Sequence, residues 1–126
     1  MIAPRLTAAA LVAAAAAAAT AVPGPSPAYA ASTLGVTAHD FYFTVSRLKV
    51  DSGMVTVELR NDGEDDHNLV VKRNDGTGTP VEYDVATPGA TSEKTFRMQP
   101  GEYRLICTLD GHKALGMKTT IRVRSG

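Results

Sequence analysis

The chain has 126 residues, with 13 basic and 13 acidic side chains, one cysteine and no tryptophan. This length corresponds to one domain, and the balanced charge gives no reason to expect a nucleic-acid partner. A single cysteine excludes a framework of internal disulfides and any metal cluster that needs two or more thiolates.

The first thirty residues have the composition of a secretory signal peptide. Arg5 supplies the charged end, residues 6–22 form an apolar run made mostly of alanine, and a Pro/Gly/Ser stretch follows. Ala28 and Ala30 form a small-x-small cleavage site, so we predict a cut after Ala30. The alternative is an uncleaved membrane anchor, but alanine partitions weakly into lipid and three prolines follow the run at once. We therefore expect an exported domain, periplasmic or extracellular, that comprises residues 31–126 and does not insert into a membrane.

Residues 31–126 show the alternation of apolar and polar residues that is typical of half-buried β-strands, and no helical periodicity extends beyond about two turns. Turn residues separate the runs. Residues 74–91 are rich in Gly and Pro, and we predict a long connection there, with at most a short strand or helical turn around 81–86. The predicted strands cover residues 33–38, 41–50 with an interruption, 54–61, 67–73, 92–98, 103–107 and 117–124. This spacing predicts an all-β fold, a β-sandwich or small barrel of about seven to eight strands.

Four residues stand out as candidate metal ligands: His67, Cys107, His112 and Met117. Strand alternation places His67, Cys107 and Met117 on inward faces. Cys107, His112 and Met117 follow a C-x4-H-x4-M spacing, so a single loop brings them together. We predict that all four side chains converge at one end of the sandwich.

This donor set favours copper. Two imidazoles and one thiolate in a trigonal array, with a weak axial thioether, are the ligands of copper electron-transfer sites. A buried thiolate without a cation would remain protonated, and copper would also protect a lone exported cysteine from oxidation. Taken alone, Cys107 and Met117 would be interpreted as core packing, and His67 as an exposed histidine in an acidic turn. Because strand alternation turns all of these side chains toward the same region, we favour a metal site over the separate interpretations.

These residues and their neighbours resemble the cupredoxin family, of the plastocyanin, azurin and auracyanin kind. Residues 67–68 match the family's His-Asn step, and residues 107–118 match its ligand loop. The resemblance covers residues 33–126 and implies a Greek-key sandwich that holds one type 1 copper ion. It also implies that Asn68 and Thr108 lie behind the ligands, with the Asn68 amide bonded to the Thr108 region and its backbone N–H directed at the cysteine sulfur.

Several other residues stand out in the sequence but are not predicted to bind the metal. Asp110 stands where many relatives have proline, which bears on the reduction potential and the docking surface. We interpret His39 as structural or solvent-facing. The acidic residues 64–66 are interpreted as a solvated loop, or else as an electrostatic contact for a basic partner. Met54 and Met98 are predicted to lie in the core.

The function that we predict from these residues is that of a monomeric one-electron carrier. Electrons would pass through His112, and redox partners would dock transiently around it. The alternative is a copper-binding module that stores or transfers the metal. We do not expect an enzyme, because metal catalysis needs an open coordination position and four protein ligands leave none. A Cys107 nucleophile activated by His112 would leave Met117 and His67 unexplained.

Overall fold

The computed structural model describes residues 2–4 and 32–126, and within them the chain forms nine β-strands and no helix. The strands are β1 (Ser32–His39), β2 (Tyr42–Val45), β3 (Lys49–Asp51), β4 (Gly53–Asn61), β5 (His67–Arg73), β6 (Val81–Ala86), β7 (Thr91–Met98), β8 (Gly101–Ile106) and β9 (Lys118–Arg124). The predicted apolar run over residues 6–22 and the cleavage site after Ala30 lie outside the described residues. The part of the chain that is described contains no helix long and apolar enough to cross a bilayer.

The strands form two sheets. One has four strands in the order β2-β1-β4-β7, and the other has five in the order β3-β9-β8-β5-β6. β1 pairs with β4, and β3 with β9, in parallel, whereas the other strand pairs are antiparallel. Because consecutive strands repeatedly change sheet, the connections are those of a Greek-key sandwich. The predicted all-β Greek-key β-sandwich is confirmed.

The described residues form nine strands, more than the seven to eight that were predicted, and the difference arises in two segments. Residues 41–50 separate into β2 and β3, which belong to different sheets. Within the segment 74–91, which the sequence predicts to be mainly a connection, β6 pairs antiparallel with β5. Of the two possibilities considered for residues 81–86, the strand is correct.

The core lies between the two sheets, where strand alternation places the apolar side chains. The inward residues of β4 are fully buried, and Tyr83 of β6 is 3% exposed. The Tyr83 hydroxyl donates a hydrogen bond to the carbonyl oxygen of Val57 at 2.6 Å. Because β4 and β6 belong to different sheets, this bond connects the two layers.

The two methionines predicted to lie in the core differ. Met98 is 1% exposed, as predicted, but Met54 is 40% exposed, so the prediction for Met54 is wrong. Met54 precedes the fully buried Val55 on β4, and neighbouring residues of a strand point to opposite faces. Its side chain therefore lies on the outer surface.

Three loops meet at the end of the sandwich where β5 begins. They are the β1–β2 turn at residues 40–41, the β4–β5 loop at 62–66 and the β8–β9 loop at 107–117. Asn61, at the end of β4, is fully buried. Its side-chain amide donates to two backbone carbonyl oxygens at 2.8 Å, and its Oδ1 accepts from the backbone N–H of Gly63 at 2.8 Å. These bonds fix the loop that leads into β5.

Candidate metal centre

Three of the four predicted ligands come together at this end of the sandwich. The candidate donor atoms of His67, Cys107 and His112 all lie within 4.8 Å of one another. Nδ1 of His112 is 3.2 Å from Nδ1 of His67 and 3.5 Å from Sγ of Cys107. His67 and Cys107 are fully buried, whereas His112 is partly exposed. The cluster is therefore a buried site with one ligand close to solvent.

The two donor-atom separations at His112 fit a single shared ion. First-row metals such as zinc bind imidazole nitrogen at about 2.0–2.1 Å and thiolate sulfur at about 2.3 Å, so ligands that share an ion lie roughly 3.3–3.8 Å apart. The two separations at His112 agree with this range to within about 0.1 Å. Two imidazoles and one thiolate are the ligand types of a type 1 copper site. The residues present fit one copper ion of this type.

Met117, the fourth predicted ligand, lies next to the cluster along the backbone. Its N–H donates to the carbonyl oxygen of His112, and its own carbonyl accepts from the N–H of Cys107, both at 3.1 Å. Its side chain is fully buried. Gly116 has a φ of +117° and approaches the Phe41 carbonyl so closely that a Cβ would lie 3.4 Å from it. The loop therefore returns to Cys107, and coordination by Met117 stays a prediction.

Asp40, in the β1–β2 turn, contacts the first ligand and was not recognised in the sequence. Its Oδ1 lies 2.6 Å from Nε2 of His67. An ionised carboxylate can only accept a hydrogen bond, so Nε2 carries the proton and donates it. In the neutral ring the lone pair is then on Nδ1, the nitrogen that faces His112. Asp40 therefore selects the tautomer in which His67 can bind a metal.

The β4–β5 loop holds the Asp40 carboxylate in place. The backbone N–H groups of Glu64 and Asp65 donate to it at 2.7 and 3.3 Å. The bond from Glu64, followed by the bond from His67, lowers the pKa of Asp40 below its usual value. A Cβ at Gly63 would overlap the carboxylate and lie 2.9 Å from Nε2 of His67, so a side chain there would displace one or both of these groups. The side chains of residues 64–66 are exposed, as expected of a solvated loop.

Phe41 covers the two histidines from the same turn. Its ring centroid is 4.9 Å from that of His112 and 6.0 Å from that of His67, both in edge-to-face arrangements. The ring is partly buried against the core. Neither Asp40 nor Phe41 carries a sequence signal for a metal centre, because a turn that joins two strands gives no indication of which distant loop it meets.

The predicted contact between Asn68 and the Thr108 region is confirmed. Nδ2 of Asn68 donates to Oγ1 of Thr108 at 2.7 Å, and the backbone N–H of Thr108 donates to Oδ1 of Asn68 at 2.8 Å. This reciprocal pair joins the residue after His67 to the residue after Cys107. The predicted direction of the Asn68 backbone N–H stays a prediction.

Two other residues singled out in the sequence lie outside the cluster. His39 stacks on Tyr42 with a centroid separation of 4.5 Å, and its Nε2 lies 3.0 Å from Oγ1 of Thr44. This agrees with a structural role for His39. Asp110 is exposed on the β8–β9 loop.

A buried cluster of two histidines and one cysteine lies at one end of a two-sheet Greek-key sandwich. This combination is typical of proteins that bind a single metal ion. The model of the Cupredoxin-like domain family matches residues 7–119, and the chain belongs to this family. A comparison with curated proteins gave no match.

Several solved structures share the fold. A dithionite-reduced auracyanin from Roseiflexus castenholzii matches with a TM-score of 0.57 and 21% identity, over 75% of this chain and 98% of the auracyanin. Auracyanin A, a blue copper protein from Chloroflexus aurantiacus, matches with a TM-score of 0.59 and 20% identity, over 75% and 100%. A copper-containing nitrite reductase from Thermus scotoductus matches with a TM-score of 0.56 and 25% identity, over 77% of this chain and 23% of the enzyme. The relatives thus include a blue copper protein and an enzyme, so the role of this chain depends on its own site.

Proposed function

We propose that this protein is a one-electron carrier in which His67, Cys107, His112 and Met117 hold a type 1 copper ion. The observation that carries the proposal is the cluster of two imidazoles and one buried thiol, with candidate donor atoms within 4.8 Å of one another. Copper, when bound, supplies a reversible one-electron couple. The protein's contribution is to hold the ligands at fixed positions and to exclude water from the buried ones.

The strands support a site of fixed geometry. His67 begins β5, Cys107 directly follows β8, and Met117 directly precedes β9. β8 pairs with both β5 and β9, so the three strands next to these ligand positions are joined by backbone hydrogen bonds. Because packed interiors have little room to relax, such ligands move little when the charge at the site changes by one unit.

The exposed side of the site suits brief contacts with redox partners. His112 is the partly exposed member of the cluster, and Ala114 and Leu115 beside it are exposed. Leu115 is 63% exposed, so its apolar side chain is available for contact. A small apolar patch next to a ligand is suited to the small interfaces of transient electron transfer. We include docking around His112 in the proposal.

A role as a copper store or transfer module would use the same residues. Burial of His67 and Cys107 favours retention of the metal over its release. An enzymatic role would require a free coordination position, and a fourth ligand at Met117 would fill it.

We also propose that the protein is exported after cleavage at Ala30. Amino-terminal sequencing of the secreted protein tests this cleavage.

Titration of the purified protein with Cu(II) tests the function. We expect an intense blue to green colour that ascorbate bleaches and hexacyanoferrate(III) restores over repeated cycles. Cys107→Ser should abolish the colour while the circular dichroism spectrum remains that of a β-protein. A colourless copper complex would contradict the type 1 site. Colour that disappears rapidly into a chelator, without reversible cycling, would instead indicate storage or transfer.

A further inference from the structure

An open depression of about 700 Å³ lies beside the metal cluster, on the outer side of the five-stranded sheet. Its floor includes Ile106 and Cys107. Three lysines line it: Lys72, Lys113 and Lys118. We call this feature the lysine depression. It reaches the predicted ligand Cys107 and adjoins the apolar patch beside His112, with which it shares Ala114, but its lysines give it a basic character.

The basic side chains around the lysine depression lack carboxylate partners in the described part of the chain. Lys72 lies directly opposite Arg104 in the β5–β8 pair, and like charges in such positions destabilise a sheet. Neither of these residues, nor Lys113 or Lys118, forms an ion pair within residues 2–4 and 32–126. This concentration of positive charge is therefore not explained by stabilisation of the fold.

Farther along the same sheet two arginines are paired, whereas Lys49 on β3 has no ion pair within the described residues. Arg124 contacts Asp51 at 2.6 Å, and Arg122 lies 3.7 Å from Glu102. The absence of an ion pair is therefore not peculiar to the lysines beside the metal cluster, but their concentration is. Three lysines without ion pairs among the described residues line one depression with a single carboxylate, which points to an external, negatively charged partner.

The floor of the lysine depression adds an apolar component. Ile106 has the outward parity of β8, since its neighbours Leu105 and Cys107 face the core, yet it is only 6% exposed. Lys118 lies directly opposite Ile106 in the β8–β9 pair, and lysine stems commonly cover apolar surface while the ammonium group stays in water. The apolar lining residues that a partner can reach are Leu109, partly buried, and Ala114, exposed. Apolar residues inside a charged rim are the composition expected of a protein-docking surface.

We propose that the lysine depression is a docking surface for an acidic protein partner, which approaches the metal centre on the Cys107 side. This inference rests on the proposed function, because it assigns the surface to a redox partner of the copper carrier. The exposed acidic residues 64–66 are bonded through their loop to Asp40 at the end of the other sheet. The two flanks of the metal cluster therefore differ in charge, which orients an acidic partner toward the lysines. The single carboxylate among the lining residues, Asp110, leaves the rim net positive.

A protein partner fits this surface better than a lipid bilayer does. The lysine depression is concave, whereas a bilayer surface is flat, so a protruding acidic segment can contact several of its lysines at once. Tighter binding to anionic lipid vesicles than to an acidic polypeptide would contradict this assignment.

The first measurement compares two charge-matched variants of the copper-loaded protein. Lys72→Gln/Lys113→Gln/Lys118→Gln removes three charges from the rim, and Arg47→Gln/Lys49→Gln/Arg97→Gln removes three from exposed positions outside it. Reduced protein is mixed with hexacyanoferrate(III), which takes one electron from Cu(I) and becomes hexacyanoferrate(II). At low ionic strength we expect the rim variant to lose about tenfold in rate constant and the control variant far less. The difference should vanish at about 1 M salt, where charges are screened within about 3 Å.

The second measurement maps binding without any need for electron transfer. ¹⁵N-labelled copper-free and Cu(I) protein is titrated with poly-L-glutamate, and in parallel with phosphatidylserine/phosphatidylcholine vesicles. We expect amide shifts at residues 72, 113 and 118 with poly-L-glutamate, and their loss in the rim variant. If Gln at 113 and 118 alters the absorption of the copper complex, Lys72→Gln alone, which is farther from the ligands in sequence, replaces the triple variant, and Lys49→Gln alone becomes its charge-matched control.

The outcomes separate this proposal from the proposed function. Equal rate losses in the two triple variants, shifts spread evenly over the surface, or tighter binding to the vesicles than to poly-L-glutamate would each overturn the acidic-protein assignment. Reversible copper cycling together with any of these results would leave the carrier function standing. Mapped poly-L-glutamate binding in a protein whose copper does not cycle would refute the carrier function and retain the docking surface.

Discussion

The nitrogen of His67 that is available to a metal is set by Asp40, in the turn between β1 and β2. Asp40 accepts the Nε2 proton at 2.6 Å, and the β4–β5 loop fixes the carboxylate through two backbone N–H groups. Carboxylate partners of this kind orient a ligating histidine and increase its basicity. Asp40 also places a negative charge next to the cluster, and with copper bound this charge would favour the oxidised over the reduced state.

Replacing Asp40 tests both effects. We expect Asp40→Ala to lower Cu(II) affinity by about 10–100-fold, because His67 loses the acceptor that orients it. Asp40→Asn keeps an acceptor oxygen and removes the charge, so it should retain more affinity. Both variants should raise the reduction potential. Competition titration and voltammetry measure the two quantities, and Asp65→Asn, an exposed loop position, serves as the charge control. Affinity and potential equal to those of the control would refute the role of Asp40.

Gly63 offers an independent test of the same contact. A methyl group there would overlap the Asp40 carboxylate and crowd Nε2 of His67, so Gly63→Ala should reproduce the loss of affinity without removing a charge. Gly35→Ala is the matched control, since its Cβ would meet only Ser46 at 3.5 Å, an ordinary contact. Equal copper affinity in both alanine variants would show that the turn and the loop can separate at no cost to the site.

At the scale of elements, the reciprocal bonds between Asn68 and Thr108 connect β5 to the start of the ligand loop. Thr108→Val removes one acceptor, and Asn68→Ala removes both bonds. Each bond is expected to contribute about 0.5–1.5 kcal/mol, so Asn68→Ala should cost more in unfolding free energy than Thr108→Val. A double-mutant cycle by urea denaturation measures the coupling. Additive effects would show that the bonds do not hold the two elements together.

Strand alternation explains which parts of the site could be predicted from the sequence. His67, Cys107 and Met117 lie on or beside strands whose apolar periodicity fixes the inward direction, so their convergence could be expected before the fold was known. Asp40 and Phe41 occupy a turn, where no periodicity exists. Their contact with His67 depends on the parallel pairing of β1 with β4, which brings the β1–β2 turn to the β4–β5 loop. Local sequence does not encode that pairing.

The strands that were predicted less well are those with weak or divided patterns. β6 is an edge strand that pairs only with β5, and a register shift between His67 and Leu69 interrupts the pairing. Only two of its six residues are buried, so its alternation is poor. Residues 41–50 read as one interrupted strand because both halves are apolar, yet the chain changes sheet between β2 and β3. A crossing between layers alters no local periodicity.

At the scale of the whole molecule, the two sheets are connected by a polar contact within the apolar core. Tyr83, on the edge strand β6, donates to Val57 on the central strand β4 of the other sheet. Burial raises the pKa of Tyr83 well above its ordinary value. The hydroxyl therefore stays protonated, and the bond stays formed, at pH values where an exposed tyrosine ionises.

This shift in pKa makes the stability of the fold depend on alkaline pH. In the unfolded chain Tyr83 releases its proton near pH 10, whereas the folded protein retains it, so the unfolded state binds fewer protons above that pH. The contribution is fully present below pH 10 and is lost progressively as the pH rises toward the folded value, at roughly 1 kcal/mol per pH unit. Tyr83→Phe removes the hydrogen bond at every pH. It should therefore lower the free energy of unfolding by about 1 kcal/mol at pH 8, where the native bond contributes fully, and by much less at pH 11. Urea denaturation of the copper-free protein at the two pH values measures the difference, with Tyr42→Phe, half exposed on β2, as the control. A stability gap between the native protein and Tyr83→Phe that is the same at both pH values would show that the contact between the layers does not depend on the Tyr83 proton.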